Sequence, residues 1–180
     1  QIKRIALSHH GEPLCNHRLP DMVAYIKKSG LTAKTDIHTN ALLLDEAYIE
    51  KLCEAQIDRI VISLQGLDEK NYLEVCGAQI DFDKFYRRLE YLYKMKKATQ
   101  VHIKIVDVAV GEEKDKFYEM FSPIADRVFV ESVVPLWTGM DMTGEENETN
   151  KYGDVFKVQR CCPLIFYTIN ILPDGTIYPC

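Results

Sequence analysis

Two groups of residues have types and spacing that suit chemistry. The first closes the chain. Cys162 is followed by twelve residues, Gly175, four residues and Cys180, with Cys161 as a spare neighbour. Pro173-Asp174-Gly175 fits a turn, so Phe166–Leu172 and Thr176–Tyr178 read as the two strands of a hairpin. Thiolates drawn together by a glycine turn are metal-cluster ligand chemistry. Two unrelated cysteines flanking a hairpin are the plain alternative. The second group is His9, His10, Glu12, His17 and His38. Imidazole and carboxylate suit zinc or iron, which would make a metallohydrolase. Adjacent His9 and His10 point to opposite sides of extended backbone, so their spacing does not enforce one ligand set. The other three cysteines read as inert, Cys53 inside a helical pattern and Cys15 and Cys76 near loops.

These residues need elements to position them. Ile2–Leu7 is a short apolar run, and Leu19–Ser29 has helical spacing stopped by Gly30. Thr35–Thr39 is β-prone, and Asp45 can cap a helix running to about Ala55. Arg59–Leu64 is nearly continuous in apolar residues, as in strands buried on both faces of a parallel sheet. Phe82, Phe85, Tyr86, Leu89, Leu92 and Tyr93 predict a helix over Asp81–Lys97. Val101–Val110 reads as a strand in which His102 and Lys104 alternate with Val101, Ile103 and Ile105, so one face is less buried. Glu112–Phe121 reads as a helix and Arg127–Val134 as a strand.

Strand-helix alternation repeated about five times implies βαβ units and a parallel sheet with helices outside. Eight repeats need roughly 250 residues, so the expected fold is α/β, an open partial (β/α) barrel of about five parallel strands. The expected division is 1–137 for this barrel, 138–160 for an acidic, mobile linker and 161–180 for the start of a small β-hairpin element. Ligands in such folds bind at the carboxyl ends of the strands. There stand Ser8 to Pro13, His38-Thr39-Asn40, Ser63 to Gly66, Asp107, and Glu131-Ser132.

The 180 residues carry a formal charge of −5 and 47% hydrophobic residues. That composition is globular, and the acidic balance argues against nucleic acid as a partner. No apolar run reaches the roughly 18 residues of a membrane span, and no signal peptide opens the chain. Six cysteines without a secretory context point to a reduced, cytoplasmic setting. No GxGxxG or Walker-type loop is present, which lowers a dinucleotide or nucleotide-triphosphate reading. Gln1 opens the sequence where Met would stand, and Cys180 closes it just after a turn, so the residues read as a piece of a longer protein.

His10-Gly11-Glu12-Pro13-Leu14 is similar to the GGEP motif of the radical S-adenosylmethionine (radical SAM) superfamily, with His for the first Gly. Thr39-Asn40-Ala41-Leu42-Leu43 resembles its TNG-x-L segment, with Ala for Gly, and Ile57–Gly66 resembles its next strand. The Cys162–Gly175–Cys180 spacing resembles the opening of that superfamily's SPASM or twitch extension. The resemblance covers most of residues 1–137 and implies a TIM-barrel-like, iron–sulfur oxidoreductase. Such an enzyme uses a reduced [4Fe–4S] cluster to cleave S-adenosylmethionine to a 5′-deoxyadenosyl radical, which abstracts hydrogen from a peptide or small-molecule substrate. An electron donor such as flavodoxin or ferredoxin would serve it.

The resemblance also implies site residues. Gly11, Glu12 and Pro13 would meet the methionine moiety of the cofactor, Asn40 and Ser63 its ribose or carboxylate, and Val106, Val108 and Val134 its adenine. Cys162 and Cys180 would ligate an auxiliary Fe–S cluster. The CxxxCxxC motif of the primary cluster is absent from residues 1–180 and is expected upstream of Gln1, so this chain alone is expected to be inactive. A His/carboxylate metallohydrolase on a related barrel and a noncatalytic binding fragment are the competing readings.

Overall fold

The computed structural model describes residues 2–9, 11–31, 33–132, 152 and 163–179. Five strands form one parallel sheet in the order β1-β2-β3-β4-β5. They are β1 (Arg4–Ala6), β2 (Lys34–Thr39), β3 (Arg59–Leu64), β4 (Gln100–Val106) and β5 (Arg127–Glu131). Helices α1 (Leu19–Lys28), α2 (Glu46–Glu54), α3 (Glu69–Cys76), α4 (Phe82–Met95), α5 (Asp107–Val110) and α6 (Lys114–Phe121) connect them. Among the described residues the sheet is open, with β1 and β5 at its edges, so the expected partial α/β barrel is what forms. A separate antiparallel hairpin follows, β6 (Ile169–Ile171) paired with β7 (Ile177–Pro179).

The parallel register puts Ile37, Ile60 and Val101 side by side, and Ile62 beside Ile103. These residues pack against Val23, Leu52, Phe85, Leu89, Leu92, Phe117 and Phe121 of the helices. Burying each such side chain stabilises the fold by about 1.5–3 kcal/mol, which is why the helices lie on this face. The alternate positions point the other way: Arg4, Asp36, His38, Arg59, Ser63, His102, Lys104, Arg127 and Glu131 share the inner face, turned from the helices.

The helices start where carboxylates can cap them. Asp45, Asp68 and Asp81 each accept the backbone N–H three residues on, from Tyr48, Asn71 and Lys84. Each cap contributes about 1 kcal/mol. The helix α3 is absent from the sequence reading, because Tyr72 is its one buried side chain and leaves no visible stripe. The strand expected over Val101–Val110 stops at Val106. There the Asp107 carboxylate accepts the Val108 N–H and Gly111, at φ +51°, closes a helical turn onto the Asp107 carbonyl. In the C-terminal element, Pro163–Phe166 forms a 3₁₀ turn, so the first hairpin strand begins at Ile169 and not at Phe166. Of the expected linker over 138–160, all but Tyr152 lies outside the described residues.

Candidate functional site

The loop after β1 is fastened to the end of β2 by one side chain. Glu12 Oε1 accepts the Leu14 N–H at 3.0 Å and the Thr39 hydroxyl at 2.5 Å, while Oε2 accepts the Asn40 N–H at 2.8 Å. Glu12 also caps the 3₁₀ turn Pro13–Cys15, with proline at its first position where no N–H is needed. A carboxylate offers about four acceptor places, so one remains on Oε2. Beyond it the chain turns sharply: Thr39 Oγ1 accepts the Ala41 N–H and Asn40 Oδ1 the Leu42 N–H. Asn40 is left with its side-chain NH₂ as donor. Gly11 stands just before this knot at φ +84°, and nothing lies within 4 Å of where a Cβ would be. The backbone there is open to a bound group.

Ser63 lies on the inner face of β3, beside Lys104 in register, and Val106 ends β4 opposite Glu131. Val108 falls on α5, 73% exposed, not on a strand end. Val134, Cys161, Cys162, Cys180 and His10 lie outside the described residues. The structure therefore joins Glu12 to Asn40 directly and sets Ser63 and Val106 on neighbouring strands. Among the described residues, no three His, Cys, Asp or Glu side chains gather as metal ligands. Glu12 binds Leu14, Thr39 and Asn40, and the His9 ring meets the Tyr178 hydroxyl at 3.2 Å.

The inner face holds two ionic clusters that motif reading does not assign. Asp36, with its side chain 3% exposed, is gripped by Arg4 from β1 and by Arg59 Nη2 from β3 at 3.0 Å. Burial pushes the Asp36 carboxyl up, but the two guanidinium groups outweigh it and hold it below the usual carboxylate range. Lys104 Nζ meets Glu131 Oε2 at 2.5 Å, both largely buried. Burial lowers the pKa of His38 and His102. Lys104, Arg4 and Arg59 add to that shift at His38, and Arg59 and Arg127 at His102. The signal for this face was the alternation Lys34-x-Asp36-x-His38 beside His102-x-Lys104. Charged side chains on alternate residues of a buried strand need a polar side to face.

A family model described as the Radical SAM superfamily matches residues 2–121. The chain belongs to that superfamily, whose members use S-adenosylmethionine and a [4Fe–4S] cluster. It is 35% identical over 85 residues to a probable GTP 3′,8-cyclase of Methanococcus aeolicus, covering 46% of this chain and 28% of that protein. It is 37% identical over 67 residues to the PqqA peptide cyclase of Granulibacter bethesdensis, covering 37% of this chain and 17% of that one. The chain thus spans under a third of these curated relatives. Among solved structures, SuiB of Streptococcus suis bound to the precursor peptide SuiA superposes with a TM-score of 0.51 at 25% identity, over 69% of this chain and 27% of that one. Native anSMEcpe with bound AdoMet and Kp18Cys peptide gives 0.58 at 19% identity, over 82% and 41%, and shares the fold.

Proposed function

We propose that the protein containing these residues is a radical SAM enzyme with a SPASM-like C-terminal element. It reductively cleaves S-adenosylmethionine and takes a hydrogen atom from a peptide or a small molecule. The observation that carries the reading is the Glu12 knot, which fixes Gly11–Pro13 against Asn40 at the strand ends, where sheets of this kind bind ligands. The cluster supplies the electron for the cleavage when bound.

The chain's own residues bind and orient the cofactor. The open backbone at Gly11 and the last acceptor place on Glu12 receive the methionine ammonium, a charge-assisted bond. The Asn40 amide and the Ser63 hydroxyl serve the ribose or carboxylate. Val106, with Val108 and Val134, flanks the adenine. Cys162 and Cys180 hold an auxiliary Fe–S cluster, and a flavodoxin or ferredoxin delivers electrons. A peptide substrate is supported by the names of the PqqA cyclase and of the SuiB complex with SuiA; GTP in the Methanococcus name keeps small molecules within the class.

The test uses the full-length protein, reconstituted anaerobically with iron and sulfide and supplied with dithionite and S-adenosylmethionine. Release of 5′-deoxyadenosine and methionine is the expected result. Protein carrying a full iron complement that releases none overturns the reading.

A further inference from the structure

The 180 residues are acidic, with a formal charge of −5, yet the described inner face of the sheet is not. By register, the five strands turn Arg4, Lys34, Arg59, Lys104 and Arg127 to that face, against the two carboxylates Asp36 and Glu131. Asp36 is shared between Arg4 and Arg59, and Glu131 binds Lys104. Arg127 lies 4.8 Å over the Phe129 ring and forms no salt bridge among the described residues. The rung above Asp36 and Arg59 places His38, Val61, His102 and Arg127 in line, so two further nitrogen donors border the excess cations.

A strand face costs stability when it gathers like charge, and opposite charges on alternate strands would cancel it as they do at Asp36. Among the described residues this face keeps more cations than carboxylates, which is the charge a site for an anion needs. A surface with an excess of one sign of charge concentrates ligands of the other sign. We propose that this face binds an oxyanion of the substrate, carboxylate or phosphate, between Arg59, His102 and Arg127. This deepens the reading of a radical SAM enzyme and rests on it. It narrows the substrate to anionic peptides or phosphorylated small molecules.

The experiment uses full-length, cluster-reconstituted protein with S-adenosylmethionine present at saturation, so that the cofactor's own carboxylate is already bound. Calorimetric titration at low ionic strength compares a tetraglutamate peptide, inorganic pyrophosphate and a tetralysine peptide. Tetraglutamate, pyrophosphate or both bind, tetralysine does not, and added salt weakens the binding. Whichever of the two binds more tightly distinguishes the carboxylate source from the phosphate source. Arg127→Gln, on an exposed side chain with no salt bridge to another described residue, weakens binding roughly tenfold or more, as loss of one charged hydrogen-bond donor requires. His102→Gln weakens it less, and Glu131→Gln, which releases Lys104, tightens it. Equal anion binding by wild type and Arg127→Gln overturns the proposal, as does anion binding that vanishes once the cofactor saturates. Assay of 5′-deoxyadenosine on the same samples separates the two readings. Protein that cleaves the cofactor without binding anions sinks only this inference, and protein that binds anions without cleavage sinks the enzyme reading.

Discussion

Asp58 and Asp126 hold the same place two strands apart. Each directly precedes an arginine that opens a strand, Arg59 of β3 and Arg127 of β5. Each carboxylate accepts the backbone N–H of the second residue of the neighbouring strand, Thr35 N–H of β2 to Asp58 Oδ2 and Val101 N–H of β4 to Asp126 Oδ2, both at 2.7 Å. Each also binds a lysine from helical sequence, Lys27 for Asp58 and Lys96 for Asp126. The sheet is thus riveted twice by one device, at the end opposite the Glu12 knot.

Replacing either carboxylate frees a lysine and a strand N–H at once. Asp58→Ala and Asp126→Ala should each cost about 1–3 kcal/mol, since these pairs are partly screened by solvent. Chemical denaturation reads the loss as a lower midpoint with unchanged slope. Values under a few tenths of a kcal/mol would show that the rivets are ornamental. Cofactor affinity at the far end of the strands should stay as it is.

Acid should destabilise the fold in two windows. His38 and His102 have folded pKa values below the ordinary histidine value, through burial and then nearby cations. The unfolded chain therefore binds more protons below about pH 6.5, and stability falls as pH drops through that value. Burial pushes Asp58 and Asp126 up, but their lysines and backbone donors outweigh it, so both sit below the ordinary carboxylate value. Their contribution is present above the unfolded value of about 3.9 and is lost as pH falls through the lower, folded one. Stability measured from pH 8 to 3 should show both limbs. In His38→Gln/His102→Gln the limb between pH 7 and 5 should flatten while the acid limb remains.

Gly66 is required for space, not for backbone freedom. A Cβ there would stand 2.4 Å from the Asn71 Cβ and 3.1 Å from the Asn71 carbonyl carbon, where α3 enters beneath the end of β3. Gly66→Ala should cost about 1–3 kcal/mol, the usual range for overpacking. Gly77→Ala, strained at φ +69° but with nothing within 4 Å, separates the two causes. A Gly66→Ala protein with the wild-type midpoint would refute the steric account.

The strands and the long helices were legible because their periods are. Arg59–Leu64 reads as a strand from its apolar run, and Asp81–Lys97, observed as Phe82–Met95, as a helix from the three- and four-residue spacing of its aromatic and leucine side chains. The knot was half legible. Glu12 and Asn40 are given site roles, while Thr39, which spends its hydroxyl on Glu12, reads only as part of a strand end and a motif, because a threonine ending a β-branched strand looks ordinary. Ala41 shows the limit of motif reading. It stands where the family pattern has glycine and takes φ +60° regardless, its backbone held by the Thr39 hydroxyl and its methyl fully buried. The Asp36 and Lys104–Glu131 clusters join residues 23 to 32 positions apart across strands, and nothing local in the chain announces such pairs.

Glu12 should matter to cofactor binding mainly through the turn it holds. Glu12→Ala frees the N–H groups of Leu14 and Asn40 and the Thr39 hydroxyl together. Isothermal titration of reconstituted full-length protein should show S-adenosylmethionine affinity down at least tenfold, with stability down about 1–3 kcal/mol. Glu12→Gln keeps one acceptor oxygen and should recover part of both. A Glu12→Ala protein that binds the cofactor as tightly as wild type would remove Glu12 from the site.

Cys162 and Cys180 are proposed ligands on their spacing alone, and iron content tests them. A four-iron cluster normally takes four ligands, usually thiolates, and neighbours such as Cys161 and Cys162 project oppositely along an extended strand. The hairpin that carries Gly175 is closed by a 2.9 Å bond from the Leu172 N–H to the Thr176 carbonyl, and Cys180 follows its second strand directly in sequence. Metal binding contributes to the folding of small elements, so the hairpin should also gain protection from proteolysis when the cluster is loaded. In full-length protein reconstituted anaerobically, Cys162→Ala/Cys180→Ala should lose about four iron and four sulfide per chain, one cluster's worth. Cys15→Ala/Cys76→Ala, at two exposed cysteines on the barrel, should lose none. Wild-type iron in the first double variant, or equal loss in the second, would show that the late cysteines are not ligands.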